Sequence, residues 1–148
     1  MRDIRRVILH CSATREGQDI STEAIRSWHL ARGWSDIGYH YVIELDGRVV
    51  KGRCISRMGA GVRGHNRDSV HICYVGGLDR DGKPKNTLTD RQRLSIRRLC
   101  RSLTRTLSRD LSLHGHRQYA AKACPSFEVS EVFGPLAAWM AEPWRDDY

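Results

Sequence analysis

The sequence predicts an α/β fold, a mixed, roughly five-stranded sheet flanked by about three helices. Three observations predict it. Short apolar runs of strand character alternate with segments of helical period, an Asp46-Gly47 pair sits between two β-rich runs, and 148 residues at 40% hydrophobic content suit one core. Residues 1–148 are therefore expected to form a single domain.

Residues 4–10 read as the first strand, because Val7, Ile8 and Leu9 form the continuous apolar run of a strand covered on both faces. A polar loop follows over 11–20. Ser21 or Thr22 can cap a helix running to about Arg32, with Ile25, Trp28 and Ala31 at helical spacing and Gly33 as the stop. The run Tyr39-His-Tyr-Val-Ile-Glu-Leu-Asp46-Gly47-Arg-Val-Val predicts a hairpin, since Asp-Gly supplies the positive φ angles of a tight turn.

Residues 56–68 carry Gly59, Gly61, Gly64 and Asn66 with little periodicity, which predicts an irregular surface loop near whatever the domain binds. Val70-His-Ile-Cys-Tyr-Val75 reads as the fourth strand, closed by Gly76-Gly77. Thr89 and Gln92 form a capping box for a helix whose inner face is Ile96, Leu99, Cys100, Leu103 and Leu107, with Arg93, Arg97, Arg98, Arg101 and Arg105 on the remaining face. Leu111 to His114 is a short fifth strand. Val129 to Met140 is a last helix, broken near Gly134-Pro135.

The net charge of +8, from 25 Lys and Arg against 17 Asp and Glu, fits a polyanionic partner such as an anionic wall polymer, anionic lipid or nucleic acid. The basic residues at 91–109 suit a solvated helix face better than a nucleic-acid surface, so no nucleic acid is required. No apolar run approaches the roughly 18–20 residues of a membrane span, and no secretory signal is expected. Five scattered cysteines argue against a disulfide framework and for synthesis in a reducing compartment. Cys73 and Cys100 read as small core residues. Cys124 differs because of its neighbours.

The stretch from His116 through Lys122 to Cys124-Pro125 puts two zinc-type ligands and a positive charge on one loop, while His10 ends an apolar strand far upstream. Two imidazoles and one thiolate make an open Zn²⁺ site, with the fourth position left to water. His114 competes with His116, and spacing alone does not separate them. Zinc so held lowers the pKa of its bound water toward about 7, and Lys122 can face the oxyanion that forms when an amide is attacked. Tyr39, after Gly38 at the start of a strand, can present its hydroxyl to the same centre. Sheets of this kind gather ligands at strand ends, where His10, Tyr39 and His116 are expected. A cysteine amidase with Cys124 as nucleophile and His116 as base is the chemical rival, and it would survive chelation.

His10-Cys-Ser-Ala-Thr14, Ile25-Arg-Ser-Trp28-His29 with Gly33-Trp34, Asp36-Ile-Gly38-Tyr39-His40-Tyr, Val75-Gly76-Gly77 and Lys122-Ala-Cys124-Pro125-Ser126-Phe occur in an order that resembles the type 2 N-acetylmuramoyl-L-alanine amidases. That zinc family includes the peptidoglycan recognition proteins, and the resemblance runs from about residue 4 to 128. It implies zinc ligands His10, His116 and Cys124, so selecting His116 over His114, and catalytic Tyr39 and Lys122. It further implies a zinc-centred groove over the sheet, a peptidoglycan substrate, and cleavage of the amide between N-acetylmuramic acid and L-alanine. Many relatives carry a histidine where this chain has Gly61, so that a substrate contact is either lost or supplied by His65. The expected role is a phage or prophage endolysin, made in the host cytoplasm without a signal peptide, acting as a monomer on the wall after membrane breach. A cytoplasmic muropeptide-recycling amidase and a non-catalytic peptidoglycan-binding module are the alternatives.

Overall fold

The computed structural model describes residues 2–108, 110–134 and 140. Five strands, β1 (Arg6–Cys11), β3 (Tyr41–Ile43), β4 (Val49–Lys51), β5 (Ser69–Tyr74) and β7 (Ser112–Gly115), form one mixed sheet in the order β4-β3-β5-β1-β7. β1 lies between β5 and β7 and runs parallel to both, while β3 is parallel to β5 and antiparallel to β4. The short strands β2 (Thr14–Arg15) and β6 (Gly77–Leu78) pair separately. The sequence predicts a loop and a closing Gly-Gly there, because two-residue strands have too few side chains to show a period.

β1 and β5 are central and buried along nearly their whole length, as the apolar run predicts. Alternation divides the two faces of the sheet. Val7, Leu9, Val70, Ile72 and Tyr74 pack with Ile96, Cys100 and Leu103 of helix α2 (Asp90–Thr106). On the opposite face Val42 packs with Ile25 of helix α1 (Thr22–Ala31) and with Ile37. The residues that alternate with the first set, His10, His71 and Cys73, are directed to this second face.

The capping box at Thr89 forms as predicted, with Thr89 Oγ1 accepting from Gln92 N–H at 3.0 Å and Gln92 Oε1 from Thr89 N–H at 3.1 Å. Arg101, expected on the polar face, is instead buried. α1 has the predicted Ser21 cap and ends before Gly33 at φ +88°. Its inner stripe, however, is Thr22, Ile25 and His29, and Trp28 is 43% exposed. Polar contacts set that rotation: Glu44 Oε2 accepts from Thr22 N–H and Oγ1–H at 2.8 and 2.7 Å, and His29 Nδ1 accepts from Gly38 N–H at 2.9 Å.

The hairpin turns at Asp46-Gly47, with Gly47 at φ +88° and Ile43 opposite Val49. After β7 the chain enters a 3-10 turn, His116–Gln118, and later the short helix α3 (Val129–Phe133), which stops at Gly134. Of the expected continuation to Met140, positions 135–139 lie outside the described residues, and Met140 itself is buried.

Candidate metal centre

Three segments converge at the carboxyl end of β1. His10 is its penultimate residue, His116 opens the 3-10 turn after β7, and Cys124 lies on the loop that returns beneath them. Their donor atoms all lie within 4.8 Å of one another. His10 Nδ1 is 3.2 Å from His116 Nδ1 and 3.9 Å from Cys124 Sγ. Donors bound to zinc at about 2.0–2.3 Å and tetrahedral angles would stand about 3.3–3.6 Å apart, so the two separations from His10 Nδ1 lie close to what one small cation requires.

Hydrogen bonds lock the three segments together. Cys11 N–H donates to Cys124 Sγ at 3.2 Å, and Arg117 N–H, next to His116, donates to the Cys124 carbonyl at 2.8 Å. Tyr74 Oη–H donates to Pro125 O, and Ser126 Oγ–H to Gly77 O, both at 2.7 Å. A Cβ on Gly115 would come within 3.1 Å of Pro125, which shows how closely the loop lies on β7. His114 takes no part in the cluster: its Nε2 pairs with Ser112 Oγ at 2.6 Å and its ring lies against Tyr119.

Burial keeps the two imidazoles in their ligating form. It pushes the imidazolium pKa of His10 well below the ordinary histidine value, helped by the neighbouring histidines, and that of His116 down too, helped by the charge of Lys122. Both offer a neutral ring at neutral pH. The hydrogen bond shared by Cys11 and Cys124 lowers the first ionisation of the pair and, with burial, raises the second. The amide of Cys11 donates to Cys124 Sγ, a contact that favours the thiolate there.

A groove of about 510 Å³ opens at the His116 side of this cluster. Tyr39, His116 and Lys122 line it, together with Arg32, Arg63 and Trp34. Burial raises the Tyr39 phenol well above its ordinary pKa, so it remains a donor, and its ring centroid is 5.0 Å from that of His10. The floor is fixed by His29, whose ring meets Trp34 at 4.5 Å and Tyr39 at 5.3 Å. The Gly-rich loop forms one wall, held by Asn66 Oδ1 accepting from Gly61 N–H and Val62 N–H.

Two histidines that sequence reasoning passed over lie directly behind the cluster. His71 Nδ1 is 2.9 Å from His10 Nε2, and His40 stacks on His71 at 5.8 Å with ring planes 9° apart. Burial holds the pKa of His71 down to about 3 and that of His40 to about 4. The alternation in Val70-His-Ile-Cys-Tyr was the available signal, since it puts His71 on the face of His10. His65 packs on Tyr119 of the groove at 4.4 Å, and its Nδ1 is 3.1 Å from Arg6 Nη1.

The fold is shared with peptidoglycan-directed proteins. It superposes on the N-acetylmuramoyl-L-alanine amidase LysC from Clostridium intestinale with a TM-score of 0.73, at 25% identity over 88% of this chain and 83% of that one. The ectodomain complex of peptidoglycan recognition proteins LCa and LCx bound to tracheal cytotoxin gives a TM-score of 0.69, at 32% identity over 84% and 76% of the two chains. In sequence, the endolysin of Escherichia phage T7 is 39% identical over 123 residues, 83% of this chain and 81% of the phage protein. Residues 1–127 match the N-acetylmuramoyl-L-alanine amidase family. The chain belongs to that family and is an N-acetylmuramoyl-L-alanine amidase, an enzyme of peptidoglycan.

Proposed function

We propose that the chain is a zinc-dependent endolysin that hydrolyses the amide joining N-acetylmuramic acid to the L-alanine of the stem peptide, with residues 1–148 as one catalytic domain. The observation that carries the metal assignment is the convergence of His10 Nδ1, His116 Nδ1 and Cys124 Sγ within 4.8 Å. Two neutral nitrogens and one thiolate leave a divalent ion with net positive charge and one open position, the donor set of a hydrolytic site. Zinc bound there would supply a Lewis acid and bring the pKa of water toward about 7.

The remaining roles fall to side chains of the groove. Tyr39, kept as a phenol, donates a hydrogen bond to the scissile carbonyl, and Lys122 provides a fixed positive charge where negative charge develops on that oxygen. Arg32 and Arg63 give the groove the sign that suits a substrate carrying carboxylates. We place synthesis in the host cytoplasm and action on the cell wall after the membrane is breached. The likeness to phage endolysins supports this.

The test is mass spectrometry of muropeptides from purified sacculi digested with and without zinc. Free N-terminal alanine that appears only with the metal is expected. Equal cleavage after chelation would replace the zinc reading with the cysteine amidase, and bound but uncut peptidoglycan would leave a binding module.

A further inference from the structure

We propose that His71 is a positioning residue of the metal centre: its Nδ1 accepts the Nε2 proton of His10 and so fixes the ring orientation and tautomer in which His10 Nδ1 faces the metal, within a slot kept open by Gly61. The proposal rests on the assignment of a metal to His10, His116 and Cys124.

The argument begins with proton accounting. His10 Nδ1 is the atom turned to His116 and Cys124, so in a neutral ring the proton must sit on Nε2. His10 is buried, and the atom 2.9 Å from its Nε2 is His71 Nδ1. That nitrogen must therefore accept, which puts the proton of His71 on its own Nε2. The opposite arrangement, with His71 donating, would place a proton on His10 Nδ1 and abolish it as a ligand. Ligating histidines ordinarily donate their second nitrogen to a carboxylate, a backbone carbonyl or water. Here a second imidazole takes that place.

The orientation of His71 is itself determined. Its backbone N–H donates to His40 Nδ1 at 3.0 Å, which leaves the His40 proton on Nε2, where it is donated to the carbonyl of Arg57 at 2.8 Å. A chain of fixed tautomers thus runs from the Gly-rich loop through β5 to β1. His71 Nε2 is buried and has no hydrogen-bond partner among the described residues. An apolar residue of similar size would avoid that loss, so retaining the imidazole is explained by the bond at its other nitrogen.

Gly61 completes the argument. A Cβ at this position would fall 2.4 Å from His71 Nδ1 and 2.7 Å from both Cε1 and Cγ. No side chain at 61 can coexist with the His71 ring where it stands. The two positions form one unit, with an imidazole on the strand and no side chain on the loop facing it.

The experiment compares zinc dissociation constants, by competition with a chromophoric chelator, for the parent, His71→Leu, His71→Asn and Gly61→Ala. Asn places an amide oxygen close to where Nδ1 stands and keeps the acceptor. His71→Leu and Gly61→Ala are expected to weaken zinc binding by about 10- to 100-fold, and His71→Asn to restore most of it. Folded His71→Leu that binds zinc as tightly as the parent overturns the role of His71. Should substituted chains fail to fold, nitrogen-15 NMR of the zinc-loaded parent decides, with protonated Nε2 on His10 and bare Nδ1 on His71 expected and the reverse pattern fatal. A parent that binds no zinc removes the metal assignment as well, whereas tight binding by parent and Leu variant alike removes only the inference about His71.

Discussion

The backbone amide of Cys11 donates to Sγ of Cys124 at 3.2 Å, joining residues 113 positions apart. Cys124 Sγ thus meets the main chain of Cys11 as well as its thiol. Cys124→Ala should abolish both bound zinc and muropeptide cleavage. Cys11→Ala keeps the amide and should retain stoichiometric zinc, with turnover within a few-fold of the parent. Zinc content by elemental analysis, beside the cleavage assay, checks both. Retained metal after Cys124→Ala would remove the sulfur from the site.

His116 stands in the donor cluster and His114 stands outside it. His116 Nδ1 faces His10, whereas His114 is engaged with Ser112 and Tyr119. His116→Ala should lose metal and activity together, and His114→Ala should keep both. A dead His114→Ala beside an active His116→Ala would invert the ligand choice.

Much of this was legible in the chain because the features concerned are local. The apolar run before His10, the Asp46-Gly47 turn and the Thr89 capping box each fix an element through neighbours a few positions apart, and all three form. The metal triad was legible only in part: residue types and strand ends suggested it, but choosing His116 required a resemblance. What escaped depends on contacts distant in sequence. Trp28 faces solvent because Glu44 and Gly38 hold the two ends of α1, and His71 matters because β5 lies beside β1. The buried Arg101 likewise sits on a face whose helical period alone reads as polar.

Tyr39 and Lys122 line the groove without belonging to the donor set. Tyr39→Phe and Lys122→Ala should therefore bind zinc like the parent while kcat falls by about 10²–10³, the usual loss for one oxyanion donor. Chelator competition and steady-state kinetics on soluble muropeptides measure the two quantities separately. A fall in zinc affinity that matches the fall in rate would make either residue part of the metal's support instead.

Burial holds the pKa of His29 and of His40 down to about 4, with the charges of Arg32 and Arg53 adding at His29. The folded state thus takes up these protons later than the unfolded chain, whose histidines titrate near about 6.5. Their stabilising contribution is fully present above about pH 6.5 and is lost as pH falls toward about 4, by up to about 1.4 kcal/mol per pH unit for each ring. Urea unfolding at several pH values should show this slope. His29→Asn, which keeps an acceptor for the Gly38 amide, should make it shallower, and an unchanged slope would exclude His29 as a source.

Gln92 is fully buried at the first turn of α2 and binds the end of the sheet to the helix. Its Nε2 donates to Val75 O at 3.0 Å and approaches Glu44 O at 3.3 Å and Ile43 O at 3.5 Å, while its Oε1 accepts from Thr89 N–H. Gln92→Leu removes both functions and leaves the Val75 carbonyl and the Thr89 amide short of partners, which should cost about 1–3 kcal/mol. Gln92→Glu preserves the acceptor of the capping box but turns a carboxylate toward three carbonyl oxygens. At neutral pH it should be the more destabilising of the two, although it is the smaller change in shape. Its deficit should shrink as pH falls and the carboxyl gains a proton to donate. Urea midpoints give the order directly, and a Gln92→Glu chain as stable as the parent at neutral pH would mean that the carbonyls are satisfied without this side chain.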